Sequence, residues 1–577
     1  MSHEELEEEI RKISIECLIS CEKGASEKVW NFSLKGRKIW NVSLDFSYDF
    51  PNRLPFAKLL DKDDVGTLAH VNRACTVCVE ESDSIVINTS NPSKVIEYFL
   101  EEIVKTLDHA SVRINQVELT DEYEGYFQHD AIGDVNSFYV ATDKFEIITL
   151  SVIPIRSGYL YRQNHHYHFP VLLLNQHNEY PTHFSNVKKA ISTIINIIHL
   201  PLDTPVLPPS NAEKLTAKYI YSIFDNISPE NKSALNEFLE KTKPKKEFFI
   251  LLSMPRQANE RTQLLLQYIH KDDRPHPCTE YSDQWELRFY TVQRNHREYL
   301  LERGGAKNIL SNKKVAIVGC GSVGSEIAFM LAKTGIGELT LIDNDDLKVD
   351  NIYRHRLGGS YLNYEPEKLK TSTPKVKPNS KVVALQFALQ KDLPYVKVTA
   401  IKKVFEKVLN EEYIVNSDLV IIAVGSPSLN LKFNIDLKGR DVKHAIFCWN
   451  EAAGYGGHSV RLNLDTCCLN CLYTYEDGYS NICKLNLLDS DQKISKNLTG
   501  CAGVFTPFSY LDSSQTAILA ANQSVQLLLN QDLTSKAASW KGKGTGSLKT
   551  TARYDAINLA DEFEISRAEL CKVCNDK

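Results

Sequence analysis

Three glycines with G-x-G-x-x-G spacing are the residues whose chemistry is easiest to infer. They are Gly319, Gly321 and Gly324, and they follow a short apolar run at 315–318. The first two glycines allow a tight turn and a close approach of backbone to phosphate, and the third lets a helix pack on the strand. Asp343 ends a second apolar run, about 20 residues further on, where a carboxylate reaches a ribose hydroxyl. We predict a nucleotide site in a Rossmann-like domain, the alternative being such a fold with an empty crevice.

Polar and cationic residues cluster directly after the second predicted strand, at Asp345, Asn351, Arg354 and Arg356. A dehydrogenase does not need this cluster, whereas a site that handles a triphosphate uses cations and amides to stabilise the charge that develops during attack. The run Asp343-Asn-Asp345, followed by Asn351-Ile-Tyr-Arg354-His355, resembles the ThiF-like and ubiquitin-activating adenylation family. The resemblance implies that ATP is used to adenylate the C-terminal carboxylate of a protein.

The same resemblance assigns residues to the phosphates and to magnesium. Lys381 matches a family lysine that contacts phosphate, a task suited to a mobile point charge, and a surface lysine is the alternative. The family often has an aspartate that helps to hold Mg2+ after the apolar strand predicted at 418–424, but Gly425 stands in that place. Asp345, Asp346 or water would then have to ligate the ion.

Two Cys-x-x-Cys units lie about a hundred residues apart in the C-terminal part of the chain. They are Cys468-Leu-Asn-Cys471 and Cys571-Lys-Val-Cys574. Two such units can provide four thiolates for a tetrahedral zinc ion, and ThiF-like proteins commonly carry one in this arrangement. The predicted Zn2+ would tie the C-terminal tail to the domain, while a redox dithiol is the alternative.

Cys501 lies in a glycine-flanked segment just before an apolar helix predicted at 513–529. In ubiquitin-activating enzymes, a cysteine on such a crossover segment attacks the acyl-adenylate to form the first thioester. The resemblance therefore assigns that role to Cys501. Cys483, in the same crossover, is the rival, and Cys501 could also serve only in packing.

The first 110 residues resemble a ubiquitin-conjugating enzyme: a helix, a meander of strands, a proline-bearing exit, His70-Val-Asn72, Cys78 and a second helix. The resemblance implies that Cys78 carries a thioester and that Asn72 stabilises the oxyanion when an amine attacks. His70 is expected to order the loop. Val71 replaces the usual proline and the spacing to the cysteine is shorter than usual, so a buried structural Cys78 and a nucleophilic Cys75 stay open as alternatives.

Periodicity places further elements between these motifs. We expect a helix at 4–19, a hairpin of strands at 28–34 and 39–46, and a helix at 93–107. Helices are also expected at 186–199, 214–239 and 285–305, strands at 145–155, 169–175 and 248–252, and irregular structure at 254–284. The helix at 285–305 carries Arg297 and Arg303, the candidates for a family arginine that reaches the ATP phosphates, often those of a partner subunit; a solvated helix face is the alternative.

Length and composition limit the class of protein. A chain of 577 residues exceeds one domain, and we predict three: a ubiquitin-conjugating-like α+β domain at 1–115, a connecting α+β domain at 116–290, and a Rossmann-like α/β ThiF adenylation domain at 291–577. The net charge of −6 and the lack of a basic run argue against direct nucleic-acid binding. The acidic N-terminus is not a leader peptide and no run is long enough to span a bilayer, so we expect a cytoplasmic protein without membrane contact.

Both ends of the chain together resemble the fused conjugating-plus-activating enzymes of bacterial CBASS anti-phage operons. In that family the protein substrate is a cGAS-like nucleotidyltransferase, which is joined through its C-terminus to an amine of an acceptor protein, and homodimers are typical. Two alternatives stay open: a sulfur-carrier adenylyltransferase without a thioester relay, and a non-catalytic scaffold that binds a nucleotidyltransferase.

Overall fold

The computed structural model describes residues 1–47, 49–79, 87–112, 116–153, 171–175, 191–242, 246–256, 260–270, 275–362, 379–393, 395–440, 442–498 and 504–575. They form two compact units, the first ending at His296 and the second beginning at Arg297.

The first unit opens with a four-stranded antiparallel sheet flanked by two helices. Its elements are α1 (His3–Arg11), β1 (Leu18–Lys23), β2 (Val29–Lys35), β3 (Ile39–Asp45), β4 (Phe56–Leu59) and α2 (Pro92–Ala110), with strand order β1-β2-β3-β4. The expected hairpin and second helix are confirmed, because β2 and β3 bury alternate residues and α2 buries one apolar face. The helix expected at 4–19 is wrong in its second half, where Leu18 begins a strand that pairs with β2.

Short helices α3 (Gln116–Asp121) and α4 (Tyr123–Phe127) lead into a closed barrel of seven strands. The strands are β5 (Asp134–Ser137), β6 (Glu146–Ile153), β7 (Val171–Asn175), β8 (Thr193–Pro201), β9 (Glu247–Pro255), β10 (Arg261–Ile269) and β11 (Glu286–Arg294), in the order β10-β11-β5-β7-β6-β8-β9. Between β8 and β9 lie α5 (Ala217–Ser222) and α6 (Pro229–Lys241). The helix expected at 214–239 is therefore split, because Pro229 starts a new helix with Ser228 as its cap.

Three expectations for this region are wrong. The described part of 186–199 belongs to a strand, 254–284 contains the strand β10, and 285–305 is a strand followed by the helix α7 (Arg297–Arg303). For β10 and the second half of β8, the physical reason is that consecutive residues are buried on both faces, whereas β11 keeps exposed and half-buried residues. In β8, for example, Ile197 packs in the barrel interior whereas Ile198 packs in the core shared with the first sheet. Burial on both faces removes the alternation that marks a strand in a sequence.

The second unit is a Rossmann-like sheet extended by antiparallel strands. Its strand order is β14-β13-β12-β15-β16-β17-β22-β23, from β12 (Lys314–Val318), β13 (Glu338–Ile342), β14 (Lys397–Ile401), β15 (Leu419–Ile422), β16 (His444–Asn450), β17 (Gly456–Asn463), β22 (Lys536–Lys541) and β23 (Ala560–Glu564). The first five strands of this order run parallel. Two ribbons are made by β18 (Thr474–Tyr475) with β19 (Gly478–Tyr479) and by β20 (Lys496–Asn497) with β21 (Val504–Phe505).

The helices of the second unit cover this sheet. After α7 they are α8 (Ser322–Lys333), α9 (Lys381–Asp392), α10 (Glu412–Val415), α11 (Pro427–Lys438), α12 (Tyr510–Leu528), α13 (Ala552–Ala556) and α14 (Lys572–Asn575). The expected parallel strands after Lys313 and Gly337, the helix that begins at Lys381 and the long apolar helix near the C-terminus are all confirmed. The carboxyl ends of β12, β13 and β15 therefore meet at one edge of the sheet, where a ligand crevice is expected.

Candidate functional site

The glycine turn after β12 shows three different reasons for glycine. Gly319 has φ of +84° and a Cβ there would lie 2.8 Å from the carbonyl oxygen of Ala423. At Gly324 a Cβ would lie 1.9 Å from the carbonyl oxygen of Gly319, so the helix α8 packs directly on the turn. At Gly321 a Cβ would meet nothing within 4 Å. Gly321 is thus the one of the three that faces open space, where an anion can approach the N-terminus of α8.

A cavity of about 380 Å3 lies beside this turn. Of the expected site residues it is lined by Gly319, Gly321, Asp343, Asp345 and Lys381. Its far wall comes from the segment after β14 and from α11, with the apolar residues Val404, Phe405, Leu429 and Phe433 beside the charged Lys403 and Glu406. A polar end beside an apolar end suits a nucleotide, whose phosphates are charged and whose base is flat and weakly polar. The apolar wall was not among the predicted site residues, because residues 404–433 carry no recognisable motif.

The acidic residues at the cavity already have partners. The Asp343 carboxylate accepts the backbone N–H groups of Cys320 and Asp345, both at 2.8 Å, so it holds the glycine turn and retains lone pairs for a ribose hydroxyl. Asp345 pairs with Lys381 at 2.9 Å, and Asp346 pairs with Lys402 at 2.5 Å. Gly425 supplies no side chain. Asp345 is paired through Oδ2 and Asp346 through Oδ1, so each carboxylate keeps an oxygen that can ligate a magnesium ion without leaving its lysine.

Asn351 and Arg354 do not line the cavity among the described residues. Asn351 Oδ1 accepts the backbone N–H of Lys348 at 3.0 Å and stabilises the turn before the cluster. The Arg354 guanidinium lies 5.3 Å from the ring centre of Phe508, which precedes α12. The expected phosphate contact of Arg354 would need this side chain to turn towards the cavity.

His355 ties the arginine segment to the glycine turn, and sequence reasoning missed this role. Its Nε2–H donates to the carbonyl oxygen of Cys320 at 2.9 Å, and its Nδ1 accepts the backbone N–H of Leu357 at 3.0 Å. Burial lowers the pKa of His355 to about 4, so the ring is neutral at pH 7 and keeps both bonds. A histidine directly after the arginine of the family motif was the signal that could have identified it.

Arg297 and Arg303 lie on α7, away from this cavity. The Arg297 guanidinium donates to the carbonyl oxygen of Gly335 at 3.2 Å, in the turn between α8 and β13. That turn is at the amino ends of the parallel strands, opposite the glycine turn. Within its own chain, Arg297 is therefore not placed for contact with a nucleotide.

The four cysteines of the two Cys-x-x-Cys units converge. The ligand atoms of Cys468, Cys471, Cys571 and Cys574 all lie within 4.8 Å of one another. Individual Sγ–Sγ distances are 3.9 Å for the first pair, 3.6 Å from Cys468 to Cys571, 3.8 Å from Cys471 to Cys574 and 3.2 Å from Cys468 to Cys574. A tetrahedron with zinc–sulfur bonds of about 2.3 Å has edges of about 3.8 Å. The geometry therefore fits a zinc ion, as expected, and Cys467 lies outside the set.

Cys78 lies on a small hairpin together with Asn72. Val71 and Val77 pair across it, and the Cys78 N–H donates to the His70 carbonyl oxygen at 2.7 Å. Because side chains alternate across a hairpin, Val71 and Val77 point into the core whereas Asn72 and Cys78 share the opposite face. Cys78 is exposed, which argues against a buried structural thiol. The Asn72 Oδ1 accepts the N–H of Thr76 at 2.9 Å and closes the turn of the hairpin.

Glu122 is a second residue that sequence reasoning missed. Its carboxylate accepts the backbone N–H of His70 at 2.7 Å and lies 2.8 Å from Nδ1 of the same residue. Burial by itself raises the pKa of Glu122, but the hydrogen bonds from His70 outweigh burial and leave the pKa below its usual value. No sequence signal connects two residues so far apart in the chain.

The two candidate cysteines of the crossover differ. Cys483 is buried, and burial raises the pKa of its thiol to about 11, so it is a poor nucleophile at neutral pH. Cys501 lies outside the described residues. In sequence it falls between Asn497 and Val504, which pair with each other in the ribbon of β20 and β21.

These features define an adenylating-type Rossmann domain combined with an E2-like domain. Residues 293–571 match the model of the ThiF family, and residues 12–133 match that of the Prokaryotic E2 family B. The chain therefore joins an E2-like domain and a ThiF domain in one polypeptide.

Three relatives match parts of this chain. The ATP-dependent ubiquitin transferase-like protein Cap2 of Vibrio cholerae serotype O1 is 25% identical over 284 residues, which cover 47% of this chain and 45% of the relative. Cap2 of Escherichia coli is 26% identical over 306 residues, or 49% of this chain and 45% of the relative. The adenylyltransferase and sulfurtransferase MOCS3 of Danio rerio is 34% identical over 101 residues, which cover 17% of this chain and 22% of the relative. The match spans less than half the length of each of these relatives. No helix that the structure describes combines the length and the apolar character needed to span a bilayer.

Proposed function

We propose that this protein is an ATP-dependent protein-conjugating enzyme that activates a C-terminal carboxylate and transfers the acyl group to an amine. The observation that carries the proposal is the presence, in one chain, of a ThiF-type nucleotide cavity and of an E2-like hairpin with an exposed cysteine. A nucleotide site alone would serve many reactions. An E2-like cysteine has a use only if an activated acyl group is delivered to it.

The first step is adenylation at the cavity. The carboxylate of the substrate attacks the α-phosphorus of ATP, and pyrophosphate leaves. The backbone around Gly321 and the N-terminus of α8 face the phosphates, and Asp343 accepts a ribose hydroxyl. Lys381 offsets the negative charge of the phosphates, and Arg354 does so once its side chain has turned towards the cavity. Lys381 is already at the cavity, because its pair with Asp345 holds it there. Asp345 and Asp346 would hold a magnesium ion, which would offset phosphate charge when bound.

The second and third steps move the acyl group between sulfurs. The thiolate of Cys501 attacks the acyl-adenylate and displaces AMP, and Cys78 then displaces Cys501 from the thioester. An amine of the acceptor attacks the second thioester beside Asn72, an amide forms and the Cys78 thiolate leaves. The buried and protonated Cys483 favours Cys501 as the first nucleophile.

The partners follow from the resemblance to the CBASS enzymes and from the Cap2 relatives. We propose a cGAS-like nucleotidyltransferase as the protein whose C-terminus is activated, and a protein amine as the acceptor. We also propose a homodimer, in which Arg297 or Arg303 would meet the nucleotide of the partner subunit. A zinc ion at the four cysteines would tie the C-terminal segment to the domain.

The test is incubation of the full chain with ATP and a cGAS-like nucleotidyltransferase, followed by a non-reducing gel. Two thiol-sensitive adducts are expected. Cys78→Ala should lose only the Cys78 adduct, whereas Cys501→Ala should lose both, because Cys78 receives the acyl group from Cys501. Cys483→Ala is the matched control and should keep both adducts. AMP formation without adducts would favour the sulfur-carrier alternative that the MOCS3 match represents, and absence of both would favour the non-catalytic scaffold.

A further inference from the structure

The Cys78 hairpin depends on an unusual backbone conformation at His70. This residue has φ of +64°, in the left-handed region that side chains other than glycine rarely adopt. Its carbonyl oxygen accepts the Cys78 N–H, so the conformation of His70 determines where the backbone of Cys78 lies. Something outside the hairpin must stabilise His70 in this state.

Glu122 makes the contacts that do so. One carboxylate oxygen accepts the backbone N–H of His70 and the other accepts Nδ1–H, at 2.7 and 2.8 Å. One bond holds the backbone of His70 and the other holds its side chain. Together they favour a single combination of φ and side-chain rotamer at this residue. Glu118, on the preceding helix, stays 3.7 Å from Nε2 of the same ring and instead contacts His109 at 3.0 Å.

Glu122 is itself held by a fixed support. It is the residue directly before α4, and Glu124 in that helix forms a two-pronged ion pair with Arg294 of the barrel, at 2.9 and 2.5 Å. The backbone N–H of Arg73, in the hairpin, donates to the carbonyl oxygen of Tyr126 at 3.3 Å. The α4 segment thus connects the barrel on one side to the hairpin on the other.

We propose that Glu122 is a positioning residue for acyl transfer at Cys78 and that it acts through His70. The inference rests on the proposed function. In this arrangement the thiol of Cys78 and the amide of Asn72 keep a constant separation on their shared face, because the hairpin that carries both is closed at its base by the Glu122–His70 contact. Loss of the carboxylate releases the base of the hairpin and slows transfer to the cysteine, while adenylation in the second unit continues unchanged.

The experiment compares three variants of the full chain: Glu122→Ala, Glu122→Gln and, as the matched control, Glu118→Ala. With ATP and a cGAS-like nucleotidyltransferase, Glu122→Ala should slow appearance of the Cys78 adduct about tenfold, the order expected when hydrogen bonds to a charged group are lost. AMP formation and the Cys501 adduct should keep their rates in the first turnover, before Cys501 has to be discharged to Cys78. Glutamine keeps an acceptor for the His70 N–H and a partner for the ring, so Glu122→Gln should restore most of the rate, and Glu118→Ala should stay within about twofold of the unchanged chain.

A second measurement needs neither ATP nor substrate. Hydrogen exchange of the Cys78 amide and alkylation of Cys78 by iodoacetamide both report the hairpin directly, and both should change in Glu122→Ala and recover in Glu122→Gln. Equal rates in Glu122→Ala and the unchanged chain would overturn the inference, as would an equally large effect of Glu118→Ala, which would indicate charge rather than positioning. If the unchanged chain forms no Cys78 adduct, the proposed function fails, and the exchange and alkylation measurements still decide the role of Glu122.

Discussion

The nucleotide cavity and the Cys78 hairpin are held in place in different ways. The polar end of the cavity is built mostly within one strand-turn-helix-strand unit, where Asp343 accepts the N–H of Cys320 and His355 donates to the same residue's carbonyl oxygen. The hairpin is held from a distance, because His70 depends on Glu122 and Glu122 depends on the barrel through α4. The shape of the cavity therefore depends mainly on residues that are close in the sequence. The position of the hairpin depends on contacts with residues that are distant in the sequence.

This difference has a consequence for the two chemical tasks. A phosphate site needs backbone N–H groups and a helix terminus, which neighbouring residues can provide by themselves. A thioester site needs an exposed thiol at a defined distance from an oxyanion donor, and an exposed hairpin cannot hold that distance without support from a buried core. We expect substitutions in the support of the hairpin to affect the first unit as a whole, and substitutions in the glycine turn to affect the cavity first.

Glu124→Ala gives the largest expected effect and tests the long-range support. Arg294 would remain buried without the carboxylate that accepts two of its N–H groups, and breaking such a pair costs about 4 kcal/mol. Calorimetry should show a lower melting temperature for the first unit. Slower formation of the Cys78 adduct should accompany it, because α4 also carries the support of His70.

The control is the double variant Glu124→Leu with Arg294→Met, which removes both charges. It should recover much of the lost stability, since replacing a buried pair by apolar groups is often nearly neutral. If the single variant melts like the unchanged chain, the barrel does not support the hairpin and the contrast between the two regions disappears.

Gly324→Ala tests the local side of the comparison. A methyl group would lie 1.9 Å from the carbonyl oxygen of Gly319, and neither backbone can move without separating α8 from β12, so we expect a loss of about 3 kcal/mol. Gly321→Ala is the matched control, because its methyl group meets open space. Gly324→Ala should melt at a lower temperature than the unchanged chain, and Gly321→Ala should not. Both variants should bind ATP less tightly. Equal melting temperatures would contradict the assignment of the third glycine to helix packing.

The smallest expected effect concerns His355 and acid. Its pKa is lowered from 6.5 to about 4 by burial, so the unfolded chain takes up a proton at higher pH than the folded chain. The contribution of His355 is fully present above pH 6.5 and is lost as the pH falls towards 4, by about 2 kcal/mol after allowance for partial burial. Calorimetry at pH 7 and pH 5 should show the loss.

Other buried histidines, such as His199 with a pKa of about 3, lower the stability of the first unit in acid as well. His355→Asn therefore serves as the reference. At pH 7 it should melt at a lower temperature than the unchanged chain, but its melting temperature should fall less between pH 7 and pH 5. If the melting temperature of His355→Asn falls as much between pH 7 and pH 5 as that of the unchanged chain, protonation of His355 does not account for the loss of stability in acid.

Much of the second unit was predictable from sequence because its signals are local. The strand, glycine turn and helix from Lys314 to Lys333 occupy consecutive positions, and the two Cys-x-x-Cys units carry their ligand spacing within each pair. The barrel was predictable only in part: strands are expected at 145–155, 169–175 and 248–252, and β6, β7 and β9 lie there. The second half of β8 buries residues on both faces, so its sequence predicts part of a helix, and no residue pattern marks the closure of seven strands into a ring.

The sequence by itself determined the residues on which the proposed chemistry of each half depends: the glycines, Lys381 and the four cysteines in one half, and Asn72 with Cys78 in the other. These depend on residue type and short spacing, which the order of the chain specifies directly. Only the tertiary structure decided that Glu122 holds His70, that Asp345 and Asp346 are paired with lysines, and that Arg297 faces away from its own cavity. The physical reason is that hydrogen bonds and ion pairs between distant segments depend on how the cores pack, and packing involves residues from the whole domain at once.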